Sequence, residues 1–161
     1  MAQPVHEMIS GFIASQALHV AAKLAVFDLL RDGPKTTSEI AIATGSHEES
    51  LRRLLRFLSA VDVLHEDDQG RFASTKNGDL LRSDHPESMR PWAMLFGEPF
   101  FWKSWGNLYE AIETGVPGFN HAHGGENFFR LSEPISSGSR SVQHCYVEFQ
   151  CGRVCCDTWR L

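Results

Sequence analysis

Between Ala17 and Leu30 only His19, Lys23 and Asp28 are strongly polar, so a helix built from this run is apolar on almost every side. Such a helix cannot lie on a surface; other elements have to cover it from several directions. The helical reading comes from spacing, because Val5, Met8, Ile9, Phe12, Ile13, Ala17, Leu18, Ala21, Leu24, Ala25 and Leu29 recur at intervals of one, three and four. Asp32-Gly33-Pro34 then stops the run. A buried helix this early in the chain calls for a mainly α-helical domain wrapped around it.

The next residues supply the wrapping. Thr36 with Glu39 and Ser46 with Glu49 have the spacing of capping boxes, each opening a short helix, with Gly45 in the turn between them. The second helix carries Leu51, Leu54, Leu55, Leu58 and Val61 on one stripe and leaves Arg52, Arg53 and Arg56 toward solvent. Val63 to Glu66, the turn Asp67-Asp68-Gln69-Gly70 and Arg71 to Ser74 read as a β-hairpin. Helix, helix, turn, helix, hairpin is the winged-helix order. A short helix is expected around Asn77 to Leu81, another from His85-Pro86 through Phe96, and one more from Trp102 through Ile112, ended by Gly115-Val116-Pro117-Gly118.

The pattern changes at Pro134. The first 134 residues hold 13 Ala and no Cys, whereas residues 135–161 hold no Ala, four Ser and all four Cys. Domains are therefore expected at 1–134, a winged-helix domain with additional helices that starts one more helix near Phe128, and at 135–161, an unrelated tail. Two readings of the tail stand, a disordered segment or translation out of the original frame. Cys145, Cys151, Cys155 and Cys156, even with His121 and His123, contain no C-x-x-C pair and fit no zinc pattern, so no metal is expected. A net charge of −5 at pH 7 disfavours a phosphate backbone as partner. No secretory signal and no run of 18 apolar residues is present, which reads as a soluble, cytoplasmic protein that uses no membrane and keeps its thiols reduced.

Four runs carry a family resemblance: Ala17 through Leu30; Thr37-Ser38-Glu39-Ile40-Ala41 with Leu51 through Leu58; Trp102 to Gly115; and Pro117-Gly118-Phe119 with His123-Gly124. In this order they resemble the N-terminal domain of the plant-type, hydroxyneurosporene-like S-adenosylmethionine-dependent O-methyltransferases. The resemblance implies an intertwined homodimer whose winged-helix part walls the substrate pocket above a separate Rossmann-like cofactor domain. Members carry a G-x-G turn there that brings backbone close to the cofactor. No two glycines of this chain are separated by a single residue. No cofactor-binding and no catalytic residue is therefore expected, and methyl transfer by this chain alone is not.

Two groups of residues are candidates for binding. Trp92, Met94, Phe96, Phe100, Phe101, Trp102 and Trp105 are richer in rings than a small core needs; they either pack between helices or wall an aromatic or polyketide-like molecule, with Phe96 and Trp102 first. Val5, Met8, Ile9, Phe12 and Ile13 form an apolar face that packs on the chain's own wing or on a second copy, or on an intact paralogue. The alternative function is a winged-helix transcriptional regulator touching DNA through Arg52, Arg53 and Arg56. Glu48 and Glu49 at the groove-facing end of that helix, and Asp67-Asp68 at the wing tip, oppose it.

Overall fold

A computed structural model describes residues 3–125. Two compact units divide at Gly97 and Glu98. In the first, α1 (Gln3–Lys23) and α2 (Val26–Leu29) lead into β1 (Lys35–Thr36), α3 (Thr37–Thr44) and α4 (Glu48–Ala60). The wing follows as β2 (Leu64–Glu66) and β3 (Arg71–Ser74), then α5 (Lys76–Asp79) and α6 (Arg90–Gly97). The winged-helix order expected from the sequence is present, mainly helical with one small antiparallel sheet. Strand order is β1-β3-β2, with Leu64 opposite Ser74, Glu66 opposite Phe72, and Lys35 opposite Phe72 on the other side. Two residues were too few to signal β1 in the sequence.

The core sits where the apolar run demanded. Ala21, Ala22, Val26 and Phe27 are fully buried, joined by Ile40, Leu55, Leu58, Leu64 and Phe72. The run is not one continuous helix, however. Ala25 adopts a left-handed backbone (φ 53, ψ 35) that separates α1 from α2 and turns Val26 and Phe27 into the core. A left-handed alanine costs about 1–2 kcal/mol, which the burial of those two side chains offsets. Asp62 (φ 57) makes the corresponding turn between α4 and β2, and its carbonyl accepts from the Thr75 hydroxyl at 2.9 Å.

The two helix starts differ. At α3 the capping box is complete: the Thr36 hydroxyl accepts from the Glu39 N–H, and the Glu39 carboxylate accepts from the Thr36 N–H at 2.7 Å. These hydrogen bonds, backbone first and hydroxyl second, hold the Glu39 carboxyl below its ordinary value. The expected box at Ser46 and Glu49 is not formed. The Ser46 hydroxyl lies 2.8 Å from that of Thr44, and His47 takes the cap position, its ring nitrogen accepting from the Ser50 N–H.

Later boundaries also shift. The His85-Pro86 segment forms turns, and α6 begins at Arg90. The helix expected from Trp102 to Ile112 is two, α7 (Pro99–Gly106) and α8 (Leu108–Thr114), because the Asn107 side chain donates to the Lys103 carbonyl at 2.7 Å where the ladder would continue. A further short helix, α9 (Gly118–Ala122), follows the glycine-proline turn. In this second unit Gly118 packs so closely that a Cβ there would stand 2.6 Å from the Ser104 carbonyl oxygen. The helix expected near Phe128, the boundary at Pro134 and all four cysteines lie outside the described residues.

Candidate functional site

α6 runs antiparallel along α1, and three polar contacts fix the pairing. Gln16 donates to the Gly97 carbonyl at 3.5 Å, His19 Nδ1 donates to the Ala93 carbonyl at 3.2 Å, and Arg90 Nε donates to the Ala22 carbonyl at 3.1 Å. A carbonyl only accepts, so the His19 proton sits on Nδ1. His19 is buried against Gly97, where a Cβ would fall 1.9 Å from its ring. Glycine at 97 is thus what lets the two helices close. At the other end Arg90 pairs with Asp28 at 3.3 Å, and Asp28 accepts from the Ser83 N–H at 2.7 Å.

Beside this contact the first unit has an apolar recess of about 260 Å³, lined by Ser15 and Leu18 of α1, Trp92, Ala93 and Phe96 of α6, and Leu81 and Met89 of the connecting segment. The Trp92 and Phe96 rings stack at 5.5 Å and 19°. Two of the sequence candidates therefore meet in a concave site. Met94 is half-buried on α6 outside the lining. Phe100, Trp102 and Trp105 belong to α7 in the second unit, where Phe101 packs edge-on to Phe100 and tilted against Trp105. Ser15 was missed by the sequence reading; its signal is a lone hydroxyl between Phe12 and Leu18 at helical spacing.

The second feature is the first half of α1. Val5, Met8, Ile9, Phe12 and Ile13 are 60, 80, 70, 55 and 46% exposed, so this stripe is not covered by the chain's own wing. On α4 the three exposed arginines are each engaged by a neighbouring group. Arg52 pairs with Glu48 at 3.6 Å, Arg56 with Glu66 at 3.7 Å, and Arg53 donates to the Glu49 carbonyl. At the wing tip Asp67 accepts from the Arg71 N–H and guanidinium at 2.9 Å, which holds its carboxyl below the usual range. No group of His, Cys, Asp or Glu among the described residues could hold a metal ion, and no described helix is long and apolar enough to cross a membrane.

Residues 6–84 match the O-methyltransferase dimerisation domain. The 8-amino-8-demethylriboflavin N,N-dimethyltransferase of Streptomyces davaonensis is 47% identical over 106 residues, 66% of this chain and 30% of that protein. The phenazine O-methyltransferase of Lysobacter antibioticus is 37% identical over 127 residues, 79% and 37% of the two chains. Among solved structures, the riboflavin-derivative dimethyltransferase from Streptomyces davawensis superposes with a TM-score of 0.81 at 39% identity, covering 92% of this chain and 44% of that one. An O-methyltransferase from neocarzinostatin biosynthesis, solved with S-adenosylmethionine and 2-hydroxy-5-methyl naphthoic acid, gives 0.68 at 33%, covering 84% and 43%.

The class defined by fold and kinship is the winged-helix dimerisation region of bacterial small-molecule methyltransferases. This chain carries the O-methyltransferase dimerisation domain, and it spans about a third of the length of the curated relatives it matches. Nothing in the fold or the kinship supports a DNA-binding regulator.

Proposed function

We propose that this chain is the dimerisation and substrate-facing part of a small-molecule O-methyltransferase, with its domain ending near Pro134, working in the cytoplasm as a homodimer. The observation that carries the reading is the exposed apolar stripe on α1, whose Met8, Ile9, Phe12 and Ile13 lie inside the segment that matches a dimerisation domain. A micromolar dimer needs about 8 kcal/mol, and each large apolar side chain buried supplies roughly 1.5–3 kcal/mol. Five such residues from each of two copies, roughly 15–30 kcal/mol at full burial, are of the size needed to supply that figure together with the roughly 4–15 kcal/mol cost of immobilising two molecules.

The recess is the substrate-facing wall. At about 260 Å³ it falls just under the roughly 300–1,000 Å³ usual for drug-sized ligands, so it seats one or two rings or one edge of a larger molecule. Solved relatives from calicheamicin and neocarzinostatin biosynthesis hold S-adenosylhomocysteine and S-adenosylmethionine, respectively. The recess does not fit that cofactor: a charged amino-acid moiety and a ribose need charged and hydrogen-bonding partners, and the polar side-chain groups of the lining are the Ser15 hydroxyl, the Trp92 indole N–H and the Met89 thioether, none of them charged. The cofactor is assigned to the part of the relatives beyond the matched region.

Native mass spectrometry of the full chain with S-adenosylmethionine tests the reading. It predicts a two-chain species with no added cofactor mass. A one-chain species, or a stoichiometric cofactor adduct, would overturn it.

A further inference from the structure

We infer that Ser15 reads a single polar group on the ligand of the α1–α6 recess, and that this ligand is a flat aromatic molecule bearing one hydroxyl, keto or ring-nitrogen group at that edge. The inference rests on the recess being a ligand site, as proposed above.

Its evidence is a contrast among hydroxyls. Serine and threonine inside a helix usually donate to the carbonyl four residues back. Ser10, Thr44, Ser59, Ser104 and Thr114 all do so, at 2.8, 2.8, 3.1, 2.9 and 2.7 Å. Ser15 is in the middle of α1 with the Gly11 carbonyl four residues back, yet makes no hydrogen bond among the described residues. It is half-buried and lines the recess, whose other walls are the stacked Trp92 and Phe96 rings and aliphatic carbon. Beside the donor-only Trp92 indole N–H and the weakly accepting Met89 thioether, the Ser15 hydroxyl is the one side-chain group of the lining that both donates and accepts a strong hydrogen bond. The rings supply stacking area for a flat body, and Ser15, as donor or acceptor, fixes which edge faces α1.

A probe pair isolates the effect: 2-naphthol and 2-methylnaphthalene, matched in size, with only the first able to hydrogen-bond. Equilibrium dialysis against the full chain should show 2-naphthol binding roughly two- to tenfold tighter, the value of one neutral hydrogen bond. In Ser15→Ala, which favours the helix, the preference should vanish while 2-methylnaphthalene binds as before. Trp92→Leu should weaken both probes alike. Equal binding of the two probes to the unmodified chain, or a preference that survives Ser15→Ala, overturns the role of Ser15 and leaves the recess standing. Failure of both probes to bind, or binding indifferent to Trp92→Leu, overturns the recess as a ligand site and the role of Ser15 with it.

Discussion

The two halves of α1 invert the usual rule of size and burial. Its second half buries Ala17, Ala21 and Ala22, among the smallest side chains available, while its first half exposes Val5, Met8, Ile9, Phe12 and Ile13. Small residues suit the second half because α4 and α6 both pack against it, and α6 comes close enough for His19 to meet Gly97. The large residues on the first half stay 46–80% exposed. The contrast teaches that one helix carries two faces, one buried in a core within the first unit and one left exposed, which the proposed function assigns to a second molecule. The second unit offers a milder version: among its described residues α7, α8 and α9 bury none fully, and Leu108, Tyr109 and Ile112 are at least half exposed.

If the second half of α1 belongs to a self-sufficient core, substitutions there should cost folding stability. Phe27→Ala, at a fully buried position beside it, should cost about 3–5 kcal/mol in urea denaturation. Gly97→Ala comes next: its methyl group would collide with the buried His19 ring, costing about 1–3 kcal/mol. It should also distort the recess, so that 2-naphthol binding falls in parallel. Thr36→Ala removes a cap remote from both halves and should cost about 0.5–2 kcal/mol.

The smallest effect is a pH dependence at that same cap. Glu39 has its folded pKa lowered, so its contribution is fully present above the ordinary glutamate value of 4.5 and is lost as pH falls through the lower folded value. Acid titration of the melting temperature should show this loss in the native chain, and Glu39→Gln should flatten that part of the curve.

Much of this was legible in the sequence because periodicity and capping chemistry are local. The apolar run, the α3 capping box and the Leu51, Leu55 and Leu58 stripe read directly. What could not be read was set by tertiary contact or by competition among nearby groups. The left-handed Ala25 follows from where Val26 and Phe27 must go, and His47 caps α4 because Thr44 engages Ser46. Aromatic content identified Trp92 and Phe96, but spacing could not separate them from Phe100, Trp102 and Trp105, which the chain assigns to another unit. Ser15 was hidden because a hydroxyl's significance lies in the bond it does not make.

The central claim, that the first half of α1 is completed by a second copy, is tested most directly by sedimentation velocity of the full chain beside its Met8→Glu, Ile9→Glu double variant. Glutamate at these exposed helical positions leaves the fold intact while placing charge in the stripe. The account predicts a dimer for the unmodified chain and a monomer with unchanged circular dichroism for the variant. A dimer in both, or a monomer in both, would contradict it.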